Sequence, residues 1–257
     1  MNTTGNTILI TGGGSGIGRG LAEAFHKLGN HVIIAGRRKQ VLDETVAANP
    51  GMSSAVLDIE NAAGIRAFAA KLIADFPALN AVIHNAGIMR PENLREQPED
   101  LTDAEAIITT NLLGPIRLTA ALLPHLEKQP HAAILTVTSG LAFVPLAMTP
   151  TYNATKAAVH SYTQALRYQL KGTKVQVIEL VPPYVQTELM GSQQASDPRA
   201  MPLADYLNET VSILKTQPDA TEVLVERVKP LRFSEQNGPE KHTAFFNQFN
   251  DAMSANH

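Results

Sequence analysis

The chain has 257 residues, 21 basic and 24 acidic side chains that nearly cancel to a net charge of −3, 17 glycines, and neither cysteine nor tryptophan. That length carries one sizeable hydrophobic core. The lack of cysteine excludes a disulfide scaffold, thiolate zinc or iron–sulfur centres and cysteine nucleophiles, and a near-neutral balance without a Lys/Arg run argues against nucleic acid or an anionic membrane as partner.

Residues 1–6 are polar, with no basic segment leading into an apolar one, and no apolar stretch approaches the ~20 residues a bilayer crossing needs. The expectation is a cytoplasmic protein with no membrane contact. From residue 7 on, short β-branched runs alternate with longer stretches of helical period. Residues 7–11 (TILIT) read as the first strand. A helix follows at 17–28, with Leu21, Ala24, Phe25 and Leu28 on one face and Gly29-Asn30 as its stop. The same reading gives a strand at 31–35, a helix at 39–48, a strand at 54–58, a helix at 62–76 and a fourth strand at 81–84. A helical region over 101–126 is interrupted at Gly114-Pro115, where the missing proline donor predicts a bend. A strand at 132–138, a helix at 151–170 and a strand at 174–181 complete the alternation.

Six strands with intervening helices predict an α/β fold: a single doubly wound Rossmann domain over 1–257, with a parallel sheet in the order 3-2-1-4-5-6. No repeat or low-complexity linker divides it. After Val181 the alternation stops. Punctuation by Pro182, Pro183, Gly191, Pro198 and Pro202 predicts a mobile, helical substrate flap at about 188–218. The plainer reading is a surface excursion with a helix near 203–214. Residues 219–257 form a C-terminal helical tail, and its Phe245, Phe246 and Phe249 are expected to pack on the chain's own core.

Six glycines fall between positions 12 and 20. In Gly12-Gly13-Gly14-Ser15-Gly16-Ile17-Gly18 they lie between the first strand and the first helix, where glycine permits close backbone approach and the helix N-terminus offers free N–H groups to a pyrophosphate. A tight turn alone needs one or two glycines, not five in seven residues. After the second strand an acidic residue would suit the ribose 2′-hydroxyl of NAD. Arg37 and Arg38 stand there instead, and their guanidinium groups suit a 2′-phosphate, which points to NADP.

Tyr152 and Lys156 are four apart, so both project from one face of a helix. An adjacent ammonium, together with the charge of an oxidised nicotinamide, is expected to lower the phenol from its ordinary pKa of about 10 and make Tyr152 a proton donor and acceptor near neutrality. Ser139, at the carboxyl end of a strand, can hydrogen-bond a developing oxyanion. Each residue alone reads more blandly: Tyr/Lys as a solvated face, Ser139 as a turn residue, Asn111 as a partner of a kink at Gly114. Their joint placement carries the functional reading. His84 reads as packed or capping a strand rather than catalytic, and no His pair has metal-ligand spacing, so no metal is expected.

Over about residues 7–187 the chain resembles the classical short-chain dehydrogenase/reductase family. Thr11, Gly12, Gly16 and Gly18 match T-G-x-x-x-G-x-G. Asp58, with Ile59 beside it, matches the acidic residue that contacts the adenine. His84-Asn85-Ala86-Gly87 matches N-N-A-G except at its first position, and Ser139, Tyr152 and Lys156 match the catalytic Ser and Y-x-x-x-K. The resemblance implies that Asn111 anchors a water relaying protons to Lys156, that Lys156 holds the nicotinamide ribose, and that Thr187, with Val185 and Pro182, approaches the nicotinamide. Two features depart from the pattern. The family's P-G becomes Pro182-Pro183, which fixes φ and removes an N–H, and neither the seventh strand nor the D-G-G element of many members is legible after residue 221. The tail resembles the DltE-like branch.

The activity this implies is NADP-dependent interconversion of a carbonyl and an alcohol, with a homodimer or homotetramer as the expected assembly. Leu141, Ala142, Phe143, Leu146, Met148, Tyr184 and Met190 flank the expected site without a cationic clamp, favouring a neutral, apolar ketone or aldehyde. The rival readings are a redox sensor or scaffold that binds NADP(H) without turnover, and an epimerase or dehydratase, which usually has a longer chain.

Overall fold

The computed structural model describes residues 1–96 and 101–254. The last three residues of the expected tail lie outside this range. Strands β1 (Thr7–Thr11), β2 (His31–Gly36), β3 (Ser53–Val56), β4 (Leu79–His84), β5 (Ala132–Val137), β6 (Val175–Val181) and β7 (Glu222–Leu224) form one sheet in the order β3-β2-β1-β4-β5-β6-β7. Every pairing is parallel. Helices α1 (Gly16–Lys27), α2 (Lys39–Ala48), α3 (Ala62–Asp75), α4 (Thr102–Ile108), α5 (Gly114–Leu126) and α6 (Pro150–Gln169) supply the crossovers, followed by α7 (Ser192–Ser196), α8 (Leu203–Thr216), α9 (Lys229–Arg232) and α10 (Pro239–Ser254).

Strand alternation sorts the core into two layers. Ile8, Ile10, Val32, Ile34 and Ile83 pack with Leu21 and Phe25 of α1 and Leu214 of α8. Leu9, Ile33, Val82 and Ile134 pack on the other face with Ile65 and Leu72 of α3, Leu118 and Leu122 of α5, and Leu166 of α6. The order reverses between β1 and β4, the switch point at which doubly wound folds open a ligand crevice beyond the carboxyl ends of the strands. The glycine loop, Asn85, Ser139 and Pro182 each follow one of these strand ends.

Three expectations are corrected. A seventh strand exists: Glu222, Val223 and Leu224 pair with Glu179, Leu180 and Val181. Three residues are too few for alternation to register. The helix of 102–126 does not break at Gly114-Pro115; it runs on through a π-helical turn at Thr109–Leu113 that absorbs the missing proline donor. Gly114 is needed there because a Cβ would stand 2.5 Å from Ile59. Contrary to the sequence expectation, this 25-residue helix is long and apolar enough to cross a membrane. Here Leu118, Leu122 and Leu126 are fully buried in the domain core.

The tail closes over the site edge of β5. Gly140, directly after Ser139, meets Val228 and Leu231 so closely that a Cβ would lie 3.0 Å from each. On α10 the phenylalanines are half-buried, and the anchoring residue is the buried Asn250, which accepts from the Ala147 N–H (2.6 Å) and donates to the Pro145 carbonyl (3.1 Å).

Candidate active site

Gly12 has φ +67° and its N–H donates to the Ala35 carbonyl at 2.7 Å. A Cβ on Gly12 would lie 2.9 Å from Ala86 Cα and from Asn85 Nδ2, and one on Gly18 would lie 2.3 Å from Asn85 Nδ2 and from the Gly12 carbonyl. The loop is therefore seated against β4. Asn85 Nδ2 donates to the carbonyls of Thr11 and Gly12, while the N–H groups of Asn85 and Ala86 both donate to the Thr11 hydroxyl at 3.1 Å. Ser15 precedes α1 without capping it through its side chain, and the first turn holds no acidic residue. The helix N-terminus thus keeps its free donors and partial positive charge. Gly14 and Ile17 are half-buried along the same loop.

Arg38 donates to Ser15 Oγ at 3.3 Å, beside this terminus. Arg37 instead pairs with Glu60 at 3.0 Å, and Glu60 also accepts from Thr110. Of the two arginines, Arg38 is the one brought to the loop. Asp58 is exposed just beyond β3, where it caps the Glu60 N–H, and Ile59 is buried against Gly114.

The structure brings the four expected catalytic residues together. Ser139 is the N-cap of a short turn at Gly140–Ala142, its Oγ accepting from the Leu141 N–H at 3.1 Å. Tyr152 and Lys156 share the buried face of α6. Lys156 Nζ lies 5.4 Å from the Tyr152 ring centre and donates to the Val137 carbonyl at 2.8 Å. Asn111, in the π-helical turn, accepts from the Ile88 N–H (2.8 Å) and donates to the Ile88 carbonyl (2.9 Å) and to Thr155 Oγ1 (3.2 Å). Thr155 in turn donates to the Tyr152 carbonyl at 2.7 Å. Gly87 packs on Asn111, where a Cβ would meet its Oδ1 at 3.2 Å.

The chain's own groups do not by themselves lower the Tyr152 phenol. Burial pushes it well above its usual range, with only the Ser139 hydroxyl pulling the other way. Burial also pushes Lys156 down to about 8, against the opposing charge of Glu179. His84 is buried, its Nε2 at 2.9 Å from Thr119 Oγ1 and its Nδ1 without a partner among the described residues. Burial pushes it down to about 4.

The segment after β6 carries α7 and α8 and is pinned by a residue that sequence reading missed. Buried Gln194 donates to the Val185 carbonyl (2.8 Å) and to Thr187 Oγ1 (3.1 Å) and accepts from the Met190 N–H (3.0 Å). Thr187 stands over the glycine loop, 3.6 Å from where a Cβ on Gly16 would be. Val185 is turned inward with Met201, Tyr206 and Val228, and Pro182 gives its carbonyl to the Gly140 N–H. Among the expected substrate-flanking residues, the Phe143 ring is 4.8 Å from His160 and carries the Arg232 guanidinium at 4.6 Å.

The family model for short chain dehydrogenases matches residues 6–198. The chain belongs to the short-chain dehydrogenase family. The uncharacterized oxidoreductase DltE of Bacillus subtilis is 40% identical over 237 residues, 90% of this chain and 92% of that one, which sets the chain in the DltE-like branch of this oxidoreductase family. The fold is shared with a short chain dehydrogenase from Burkholderia cenocepacia in complex with NADP (TM-score 0.81, 23% identity, 96% of this chain and 99% of that one). It is shared equally with a short chain dehydrogenase/reductase from Burkholderia phymatum in complex with NAD (TM-score 0.80, 22% identity, 92% and 95%).

Proposed function

We propose that this oxidoreductase interconverts a carbonyl and an alcohol, with NADP as cofactor and Tyr152 as general acid and base. The observation that carries the reading is the meeting of Ser139, Tyr152 and Lys156 beyond the strand ends, beside a glycine cradle that a single added Cβ would fill. The cradle, the uncapped start of α1 and Arg38 beside Ser15 fit a dinucleotide carrying a 2′-phosphate. Asn85, Ala86 and Gly87 would line its course, with Asp58 and Ile59 at the adenine end and Thr187 at the other. The cofactor, when bound, supplies or accepts the hydride.

The rest follows from the chain's own groups. In reduction the Tyr152 hydroxyl gives its proton to the carbonyl oxygen, while Ser139 donates a hydrogen bond to the same oxygen as charge develops on it. The phenolate left behind is unfavourable at this depth. Lys156, beside the ring, supplies the compensating positive charge, worth most where water is scarce. Asn111 ties the Ile88 backbone to Thr155 and so to the turn of α6 that presents Tyr152. Leu141, Ala142, Met148 and Met190, half-buried around this region, suit a neutral, apolar substrate. Absorbance-monitored NADPH oxidation over a panel of ketones and aldehydes, with NADH in parallel, tests the reading. Turnover with NADPH well above NADH is expected. Equal or better turnover with NADH contradicts the cofactor assignment, and silence across the panel favours a binder without turnover.

A further inference from the structure

Strand β6 is aliphatic at every other buried position, yet its centre holds Glu179, whose side chain has no solvent exposure. Burying a carboxylate costs several kcal/mol unless it is partnered. Glu179 accepts from the Thr138 hydroxyl at 2.6 Å, and His160 Nδ1 lies 2.8 and 3.0 Å from its two oxygens. Its register neighbour on β7, Glu222, is held by Arg232 through two bonds of 2.7 and 3.0 Å. The ligand atoms of His160, Glu179 and Glu222 come within 4.8 Å of one another. Within this group Arg232 supplies a cation to Glu222.

What the network adjoins gives it a role. Val137, Thr138 and Ser139 are consecutive: the first gives its carbonyl to Lys156, the second its hydroxyl to Glu179, and the third sets its hydroxyl by Tyr152. We propose that Glu179 is a positioning residue for the reaction, tethering through Thr138 the strand end that carries both Ser139 and the Val137 carbonyl that holds Lys156. This rests on the roles given above to Tyr152 and Lys156. The titratable and charged groups around Glu179 are Lys156, His160 and Arg167 from α6, Glu222 from β7 and Arg232 from α9, while β5 contributes the neutral Thr138. Lys156 is the one whose burial is opposed chiefly by Glu179, and it sits at about 8.

The test is the pH profile of kcat/KM for NADPH-driven carbonyl reduction in Glu179→Asp and Thr138→Val, with thermal melting and NADPH affinity measured alongside. Reduction needs protons on both Tyr152 and Lys156, and Lys156 gives its proton up first, so the alkaline fall reports on Lys156. Glu179→Asp keeps the charge but shortens the side chain, and Thr138→Val cuts the tether. Both are expected to lower kcat several-fold with the alkaline fall in place and NADPH affinity retained. Parental kcat in either variant, or an alkaline fall displaced in both, overturns the proposal. Should Glu179→Asp not fold, the rate of Thr138→Val still decides the tether. Carbonyl reduction surviving in Tyr152→Phe refutes the underlying roles, whereas an inactive Tyr152→Phe with parental kcat in Thr138→Val refutes Glu179 alone.

Discussion

Identity and spacing marked the glycine loop, Ser139, Tyr152 and Lys156, because each sits at a fixed offset from a strand or helix boundary, whereas Asn111 followed only from the family resemblance. What spacing could not supply was depth: a Tyr/Lys pair four apart says nothing of burial, which in the chain alone pushes the Tyr152 phenol up. Nor could it separate Arg37 from Arg38, since only the fold turns one to Glu60 and the other to Ser15. Replacing Arg38 by Ala is therefore expected to raise the KM for NADPH about tenfold or more, the worth of a charge-assisted contact, with a smaller rise in Arg37→Ala and little change for NADH. Steady-state kinetics with both cofactors decide it; equal losses in the two variants contradict the assignment. At Gly18 the added methyl of Ala would collide with Asn85 and the Gly12 carbonyl. Gly18→Ala should lose about 1–3 kcal/mol of stability by denaturant unfolding, together with NADPH affinity, and a parental midpoint contradicts that.

At the scale of elements, the β–α alternation was legible through β6 because each strand and helix there is long enough to display its period. Strand β7 is three residues long, and the π-helical turn at Thr109–Leu113 leaves no periodic mark, so both were hidden. Glu179 was hidden differently, inside a run that reads as an ordinary buried strand. The segment after β6 offered only Gly and Pro as punctuation. Part of its order comes from one glutamine whose three bonds tie Val185, Thr187 and Met190 together, beside the Val185–Met201 bridge and the Tyr184–Asp197 bond. In Gln194→Ala those groups lose their partner, at about 1–3 kcal/mol each where buried. The expected result is faster tryptic cleavage after the exposed Arg199 and a several-fold higher substrate KM; parental proteolysis and KM contradict the anchoring role.

For the whole molecule, one domain of two apolar layers on a parallel sheet accounts for the length, and the near-neutral composition without cysteine agrees with the proposed chemistry of a buried phenol and amine. The same burial sets a stability limit in acid. His84 is held near 4 against 6.5 when exposed, so the folded chain binds fewer protons than the unfolded one between these values. Stability is intact above pH 6.5 and falls as pH drops through 4, by about 3 kcal/mol in all from this group. Unfolding free energies measured across that range should decline less steeply in His84→Gln, and an unchanged slope contradicts the linkage. The central claim is that Tyr152 exchanges the proton of the reaction, and the direct measurement is turnover and NADPH binding in Tyr152→Phe. A loss of at least ~100-fold in kcat with NADPH affinity within about twofold of the parent is the expected result; turnover near the parental rate would contradict it.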